Sequence, residues 1–171
     1  MKVILLGYMG SGKSTIGKYV SDKINITFID LDTYIEEKEN MSISNIFSSK
    51  GEIYFRKQEG VYLKEILDSE LNYVLALGGG TPCYGNNMQE IINSGSKSIY
   101  LKGSIPFLAE RLKIGKYRRP LIANLNDEQL VEYIGKHLFE RAPFYEESNY
   151  KVRIDNKTIE EIYCDIAMQL H

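Results

Sequence analysis

The sequence predicts an α/β domain in which a parallel β-sheet is covered by helices on both faces. Short, continuous apolar runs alternate with longer amphipathic stretches along the 171 residues, which is the pattern of strands buried on both sides. A glycine-rich turn joins the first apolar run to the first amphipathic stretch. The final stretch places Ile159, Ile162, Tyr163, Ile166, Ala167 and Leu170 on one helical face, and that face must lie against a sheet.

In chain order, strands are predicted over 3–6, 27–29, 73–77, 98–101 and 151–154, each an apolar run too short for a helix. Helices are predicted over 13–24, 35–48, 52–67, 87–93, 105–112 and 127–147, where apolar residues return at helical spacing. The last helix is opened by a capping box of Thr158 and Glu161. Residues 113–126 are polar and basic, contain Gly115 and Pro120, and follow no period, so this segment is expected to act as a flap. With no repeat, low-complexity tract or long linker, residues 1–171 read as a single domain.

Charge excludes some function classes. The 21 Lys and Arg against 23 Asp and Glu leave a net charge of -2, too weak a field to hold a nucleic acid or an anionic membrane. Cys83 and Cys164 have no metal-ligand spacing, either with each other or with His137 and His171, so both are expected to be reduced thiols. His137, among charged neighbours, reads as a solvated helix residue, and the tyrosines as packing residues. The run Lys2-Val3-Ile4-Leu5-Leu6 stops at Gly7 without a cleavage site and reads as a buried strand rather than a leader. No run approaches the roughly 20 apolar residues of a membrane span. A cytoplasmic location is the expectation.

Gly7-Tyr8-Met9-Gly10-Ser11-Gly12-Lys13-Ser14 fits G-x-x-x-x-G-K-[ST] between a predicted strand and a predicted helix. Glycines let successive N–H groups turn inward, and the helix N-terminus adds partial positive charge toward a phosphate. Lys13 is expected to bridge the outer phosphates and the Ser14 hydroxyl to ligate Mg²⁺. Such a loop serves kinases, GTPases and motor ATPases alike, so other polar residues must discriminate.

Three groups do so. Asp30-Leu31-Asp32 ends the second strand, and alternation along an extended chain puts both carboxylates on one side, at the sheet edge where ligands bind. Asp30 is placed to hold magnesium through a water and Asp32 to accept a hydrogen bond from a hydroxyl under attack; capping of the next helix is the other role open to Asp32. Gly78-Gly79-Gly80 follows the third strand and leaves backbone N–H groups open to a ligand, or makes a sharp turn before Pro82. Arg56, Arg111, Arg118, Arg119 and Arg141 are dispersed along the chain; their planar forks suit carboxylate and phosphate oxygens.

Taken together the residues resemble the shikimate kinase family. The resemblance runs through Gly7-x-x-Gly10-x-Gly12-Lys13-Ser14-Thr15, Phe28-Ile29-Asp30-Leu31-Asp32 and Ile46-Phe47. It continues through Gly51-Glu52-x-x-Phe55-Arg56-x-x-Glu59, Leu77-Gly78-Gly79-Gly80, Arg119-Pro120-Leu121 and Arg141-x-x-x-Tyr145. It implies a P-loop NTPase fold with a five-stranded parallel sheet in the order 2-3-1-4-5, a lid over about 113–126 and a substrate-binding helical segment over about 32–60. It implies transfer of the γ-phosphoryl group of ATP to the 3-hydroxyl of shikimate, a step of chorismate and aromatic amino-acid synthesis, by a monomer using Mg²⁺. Carried over by residue, Asp32 contacts the shikimate hydroxyls, Arg56 and Arg141 its carboxylate, and Gly78, Gly79 and Gly80 complete the pocket. Lys13, Asp32 and Arg119 form the catalytic set. ATP contacts fall on Gly10, Ser11, Gly12, Lys13, Ser14, Thr15, Arg111 and Arg119, with Lys157 expected near the adenine. Ser14 binds Mg²⁺, with Asp30 behind a water. Two rivals are a related kinase of gluconate or nucleoside monophosphates and a nucleotide-dependent switch; Asp155-Asn156-Lys157-Thr158 lacks the final acid of a guanine-reading pattern.

Overall fold

The computed structural model of the chain describes residues 1–118 and 121–170. Strands β1 (Lys2–Leu6), β2 (Thr27–Asp30), β3 (Tyr73–Ala76), β4 (Lys97–Lys102) and β5 (Tyr150–Arg153) form one sheet in the order β2-β3-β1-β4-β5. Every pairing is parallel, so each connection crosses over, and the helices fall on both faces. The described helices are α1 (Lys13–Ile24), α2 (Leu31–Glu39), α3 (Ile43–Asp68), α4 (Asn87–Asn93), α5 (Ile105–Lys113), α6 (Asp127–Glu146) and α7 (Ile159–Leu170).

β1 is central, and Val3, Ile4, Leu5 and Leu6 are all fully buried. Their alternation divides the core into two layers. Ile4 and Leu6 join Leu31, Ile35, Leu63, Ile91, Leu112 and Ile134 on one face, whereas Val3 and Leu5 join Ile16 and Val20 of α1 and Ile162 and Ile166 of α7 on the other. The apolar face expected of the last helix is therefore the one it buries. None of the described helices is long and apolar enough to cross a membrane.

The helix predicted over 35–48 is not one element. α2 ends at Glu39 because Asn40 turns left-handed, with φ 49°, a conformation Asn tolerates better than most residues. Ser42 then caps a new helix, its Oγ accepting from the Asn45 N–H at 3.3 Å. The break predicted near 49–51 is instead a bend inside α3 at Gly51, with φ 83° and ψ 170°. The Glu39 carboxylate spans this bend. Lys50 Nζ on one side of Gly51 donates to it at 2.9 Å, and the Tyr54 and Tyr62 hydroxyls on the other side donate at 2.9 and 2.8 Å.

The described part of 113–126 is tied down at several points. Lys113 pairs with Glu110 at 2.6 Å and Asp127 at 2.9 Å. A short 3₁₀ turn spans Lys116–Arg118, Lys116 Nζ donates to the Leu125 carbonyl, and Ile122 is fully buried. An Asn126–Gln129 capping box then opens α6. Arg119 and Pro120 lie outside the described residues, as does His171.

Candidate active site

The loops that leave the carboxyl ends of β1, β2 and β3 meet at one edge of the sheet, the edge at which open α/β sheets bind ligands. After β1 the chain runs through Gly7, Gly10 and Gly12 with φ of 146°, 80° and 87°. Backbone of this kind strains a side-chain-bearing residue. Space is equally tight at Gly10, where a Cβ would lie 2.9 Å from Leu112 Cγ. Gly12 is the N-cap of α1, so the first amides of that helix open toward the loop. A cavity of about 290 Å³ is lined there by Gly10, Gly12, Lys13, Ser14, Thr15 and Arg111. Lys13 Nζ donates to the carbonyls of Gly7 at 2.9 Å and Tyr8 at 3.0 Å. Burial lowers its pKa to about 8, against the opposing pull of Asp32 and Asp30.

The structure corrects the extended-chain picture of the two aspartates. Asp30, not Asp32, caps α2: its Oδ1 accepts from the N–H groups of Asp32 at 3.1 Å and Thr33 at 3.3 Å. Helical geometry therefore begins at Leu31, one residue after the strand ends, and the two carboxylates are brought together by a turn rather than by strand alternation. The other oxygen of Asp30, Oδ2, accepts from Ser14 Oγ at 2.5 Å. Asp32 touches solvent at the mouth of the cleft, while protein surrounds it elsewhere. Burial, followed by the charges of Asp30 and Glu59, raises its pKa to about 6 despite Lys13.

Gly78, Gly79 and Gly80 form the floor on which the remaining groups converge. A Cβ on Gly78 would lie 3.1 Å from Asp32 Oδ1; one on Gly79 would lie 3.4 Å from the Met9 amide and 3.6 Å from Arg141 Nη1; one on Gly80 would lie 3.0 Å from Arg56 Nη2. The tripeptide is thus approached by the phosphate loop, the carboxylates of Asp32 and Glu59 and two guanidinium groups. Arg56 is held by Glu59, whose Oε2 accepts from Nη1 at 2.9 Å, and it lies 3.9 Å from the centre of the Tyr84 ring. Glu59 is fully buried and also accepts from Thr81 Oγ1 at 2.7 Å, so this charge is paired on both sides. Arg141 comes from α6, as does Tyr145, whose hydroxyl donates to the Gly79 carbonyl.

The expected residues divide accordingly. Ser11 is buried within the phosphate loop. Lys13, Ser14, Asp30, Asp32, Arg56, Gly78, Gly79, Gly80 and Arg141 gather around one cleft. Arg111 borders the loop from α5. Lys157 is not among the residues lining that cavity; it pairs with Asp165 at 2.5 Å and borders a separate hollow with Lys102, Ser104, Arg153 and Asp155. Glu59, Tyr8 and His137 received no role from sequence. His137 is half-buried rather than solvated and hydrogen-bonds the Tyr8 hydroxyl at 3.1 Å. The available signal was spacing: Glu59 lies three residues after Arg56, and His137 and Tyr145 lie four either side of Arg141.

Known proteins resemble this chain over nearly its whole length. A family model described as shikimate kinase matches residues 9–171. A shikimate kinase of Flavobacterium johnsoniae is 49% identical over 165 residues, covering 96% of each chain. Among solved structures, a shikimate kinase from Bacteroides thetaiotaomicron superposes with a TM-score of 0.90 at 36% identity, covering 99% of this chain and 98% of that one. One from Acinetobacter baumannii, solved in complex with shikimate, gives a TM-score of 0.85 at 29% identity over 99% and 92% of the two chains.

Proposed function

The chain belongs to the shikimate kinase family, and on that premise we propose how its own residues carry the reaction. It is an ATP-dependent kinase that passes the γ-phosphoryl group to the 3-hydroxyl of shikimate, giving shikimate 3-phosphate and ADP for chorismate and aromatic amino-acid biosynthesis.

The observation that carries the assignment of roles is the convergence at Gly78–Gly80, where a carboxylate, two guanidinium groups and the phosphate loop all face one small volume. Arg56 and Arg141 bind the acid's carboxylate with forked donors. Asp32 orients the acceptor hydroxyl and takes its proton late in transfer, a task suited by a pKa near 6. The glycine floor leaves room for a ring to lie against backbone. Lys13 exchanges its bonds to the Gly7 and Tyr8 carbonyls for phosphate oxygens, and its charge offsets that developing on the transferring group. Gly10, Ser11, Gly12, Ser14 and Thr15 cradle the phosphates and Arg111 flanks the nucleotide, while Lys157, paired with Asp165 beside a separate hollow, is assigned to the adenine on the sequence resemblance alone. Arg119, outside the described residues, is proposed to close on the phosphates from a lid over 113–126, excluding water that would otherwise hydrolyse ATP.

Ser14 and Asp30 supply hard oxygen donors within 2.5 Å of each other, and no His, Cys, Asp or Glu group among the described residues forms a metal cage. That fits Mg²⁺, which takes few protein ligands and fills its shell with phosphates and water. When bound, it would neutralise phosphate charge. We further propose that the helical segment 32–60 binds shikimate and that the chain acts as a monomer in the cytoplasm without nucleic-acid or membrane partners, the net charge of -2 supporting the last point.

A coupled ADP-release assay with ATP, Mg²⁺ and a panel of acceptors tests the reading. ADP release should require shikimate and fail with gluconate or a nucleoside monophosphate. Equal turnover with those acceptors, or release independent of any acceptor, would overturn it.

A further inference from the structure

The side chains of Tyr8 and His137, beside the cleft, have no part in the chemistry above. Tyr8 is the second residue of the phosphate loop and is fully buried. Its hydroxyl hydrogen-bonds His137 Nδ1 at 3.1 Å, and the two rings meet edge to face, 6.3 Å apart at 66°. Tyr133, one turn earlier on α6, also packs on the imidazole, with ring centres 4.2 Å apart. Arg141 lies 5.9 Å from the centre of the Tyr8 ring. Burial drives the Tyr8 phenol well above its usual range, so it is an O–H donor. Burial and the Arg141 charge lower the His137 pKa, Glu140 being the opposing charge. A neutral imidazole accepting at Nδ1 is the arrangement these shifts favour.

The spacing gives this contact its significance. His137, Arg141 and Tyr145 are four residues apart and share one face of α6. His137 fastens one end of that face to the phosphate loop, Tyr145 fastens the other end to the Gly79 carbonyl, and Arg141 projects between them. We propose that the Tyr8–His137 hydrogen bond is a positioning contact that sets Arg141 against the acid and makes the phosphate loop and the acid clamp one mechanical unit. The proposal rests on the reading of Arg141 as a carboxylate ligand.

The test measures KM and kcat for shikimate at saturating ATP in the His137→Leu, His137→Gln and Tyr8→Phe proteins, with Arg141→Lys as the reference. Loss of one net hydrogen bond predicts a KM for shikimate raised about fivefold in His137→Leu, with a much smaller change in kcat. Gln retains an acceptor and should restore most of the difference. The KM effects of Tyr8→Phe and His137→Leu should not add in the double variant, because both remove the same bond. A raised KM in Arg141→Lys with an unchanged one in His137→Leu would overturn the positioning role alone. An unchanged KM in Arg141→Lys would instead remove the clamp on which it depends. Equal loss of kcat in the Leu and Gln proteins would mark His137 as a packing residue only.

Discussion

Replacing Asp32 with Asn is expected to make the protein more stable while removing most of its activity. The carboxyl is shifted from 3.8 to about 6, chiefly by burial and then by Asp30 and Glu59, so at neutral pH the folded state holds a charge it resists. The sign follows from linkage: a carboxyl whose pKa is raised by folding favours the native state only while protonated, and that contribution disappears as pH rises through about 6. A shift of that size corresponds to roughly 3 kcal/mol at about 1.4 kcal/mol per unit. Asp32 is exposed at the cleft mouth, and solvent screening reduces the figure to the order of 1 kcal/mol. Loss of a favourable charge in the first turn of α2 removes a few tenths more. For a chain of this size 1 kcal/mol is about 2–4 °C in Tm. Thermal unfolding of both proteins should therefore nearly coincide at pH 4 and separate by a few degrees at pH 7.5, with Asn the more stable. Turnover should fall by about 10²–10⁴-fold with ATP binding retained. A variant less stable than the parent at pH 7.5, or a Tm difference independent of pH, would refute the claim that Asp32 is held ionised at a cost.

Other expectations rest on the same geometry. With limiting substrate, kcat/KM should rise as pH passes about 6, where Asp32 becomes a base, and fall above about 8, where Lys13 loses its proton; a flat profile across both regions would remove both groups from the free-enzyme chemistry. Lys substitution of Arg56 or Arg141 should raise the KM for shikimate, because a point charge cannot reproduce a forked contact, and unchanged constants for both would count against a carboxylate there. Gly80→Ala keeps an ordinary backbone, at φ -88°, but pushes a methyl to within 3.0 Å of Arg56 Nη2; the acid's KM should increase with little change in Tm, and a normal KM would mean that Arg56 is not poised by that contact. Glu59→Ala strips a buried partner from Arg56 and should cost about 3 kcal/mol in denaturant unfolding, whereas a loss below about 1 kcal/mol would show the pair to be dispensable. Chelation of Mg²⁺ should abolish turnover, restored by its addition.

The phosphate loop was legible in the sequence because its pattern specifies backbone torsions directly: glycines at 7, 10 and 12 are the residues that adopt positive φ. The layers of the sheet were legible because apolar runs buried on both faces leave little choice of role. The junction at Asp30–Asp32 misled because alternation holds only while the strand continues, and a side chain accepting two amide hydrogens starts a helix at once. The stop at Asn40 was hidden for a similar reason: its left-handed turn interrupts an apolar period that otherwise carries on into Ile43 and Ile46. His137 was misjudged from its charged sequence neighbours, since its hydrogen-bond partner, Tyr8, lies 129 residues away. Arg119 falls outside the described residues and remains a proposal from sequence.

On the proposed roles of Asp32 and Arg56, the joint at Gly51 bears on which acids the cleft accepts. Asp32 stands on α2, whose last residue Glu39 grips both arms of α3, and Arg56 stands on the arm beyond the bend, so the span between the group proposed to address a hydroxyl and the one proposed to address a carboxylate follows the angle of that bend. A Cβ at Gly51 would meet no atom within 4 Å, which leaves torsion as the only restraint on what residue stands there. Selectivity for the length of the acceptor is in that sense adjustable at a point that never touches it.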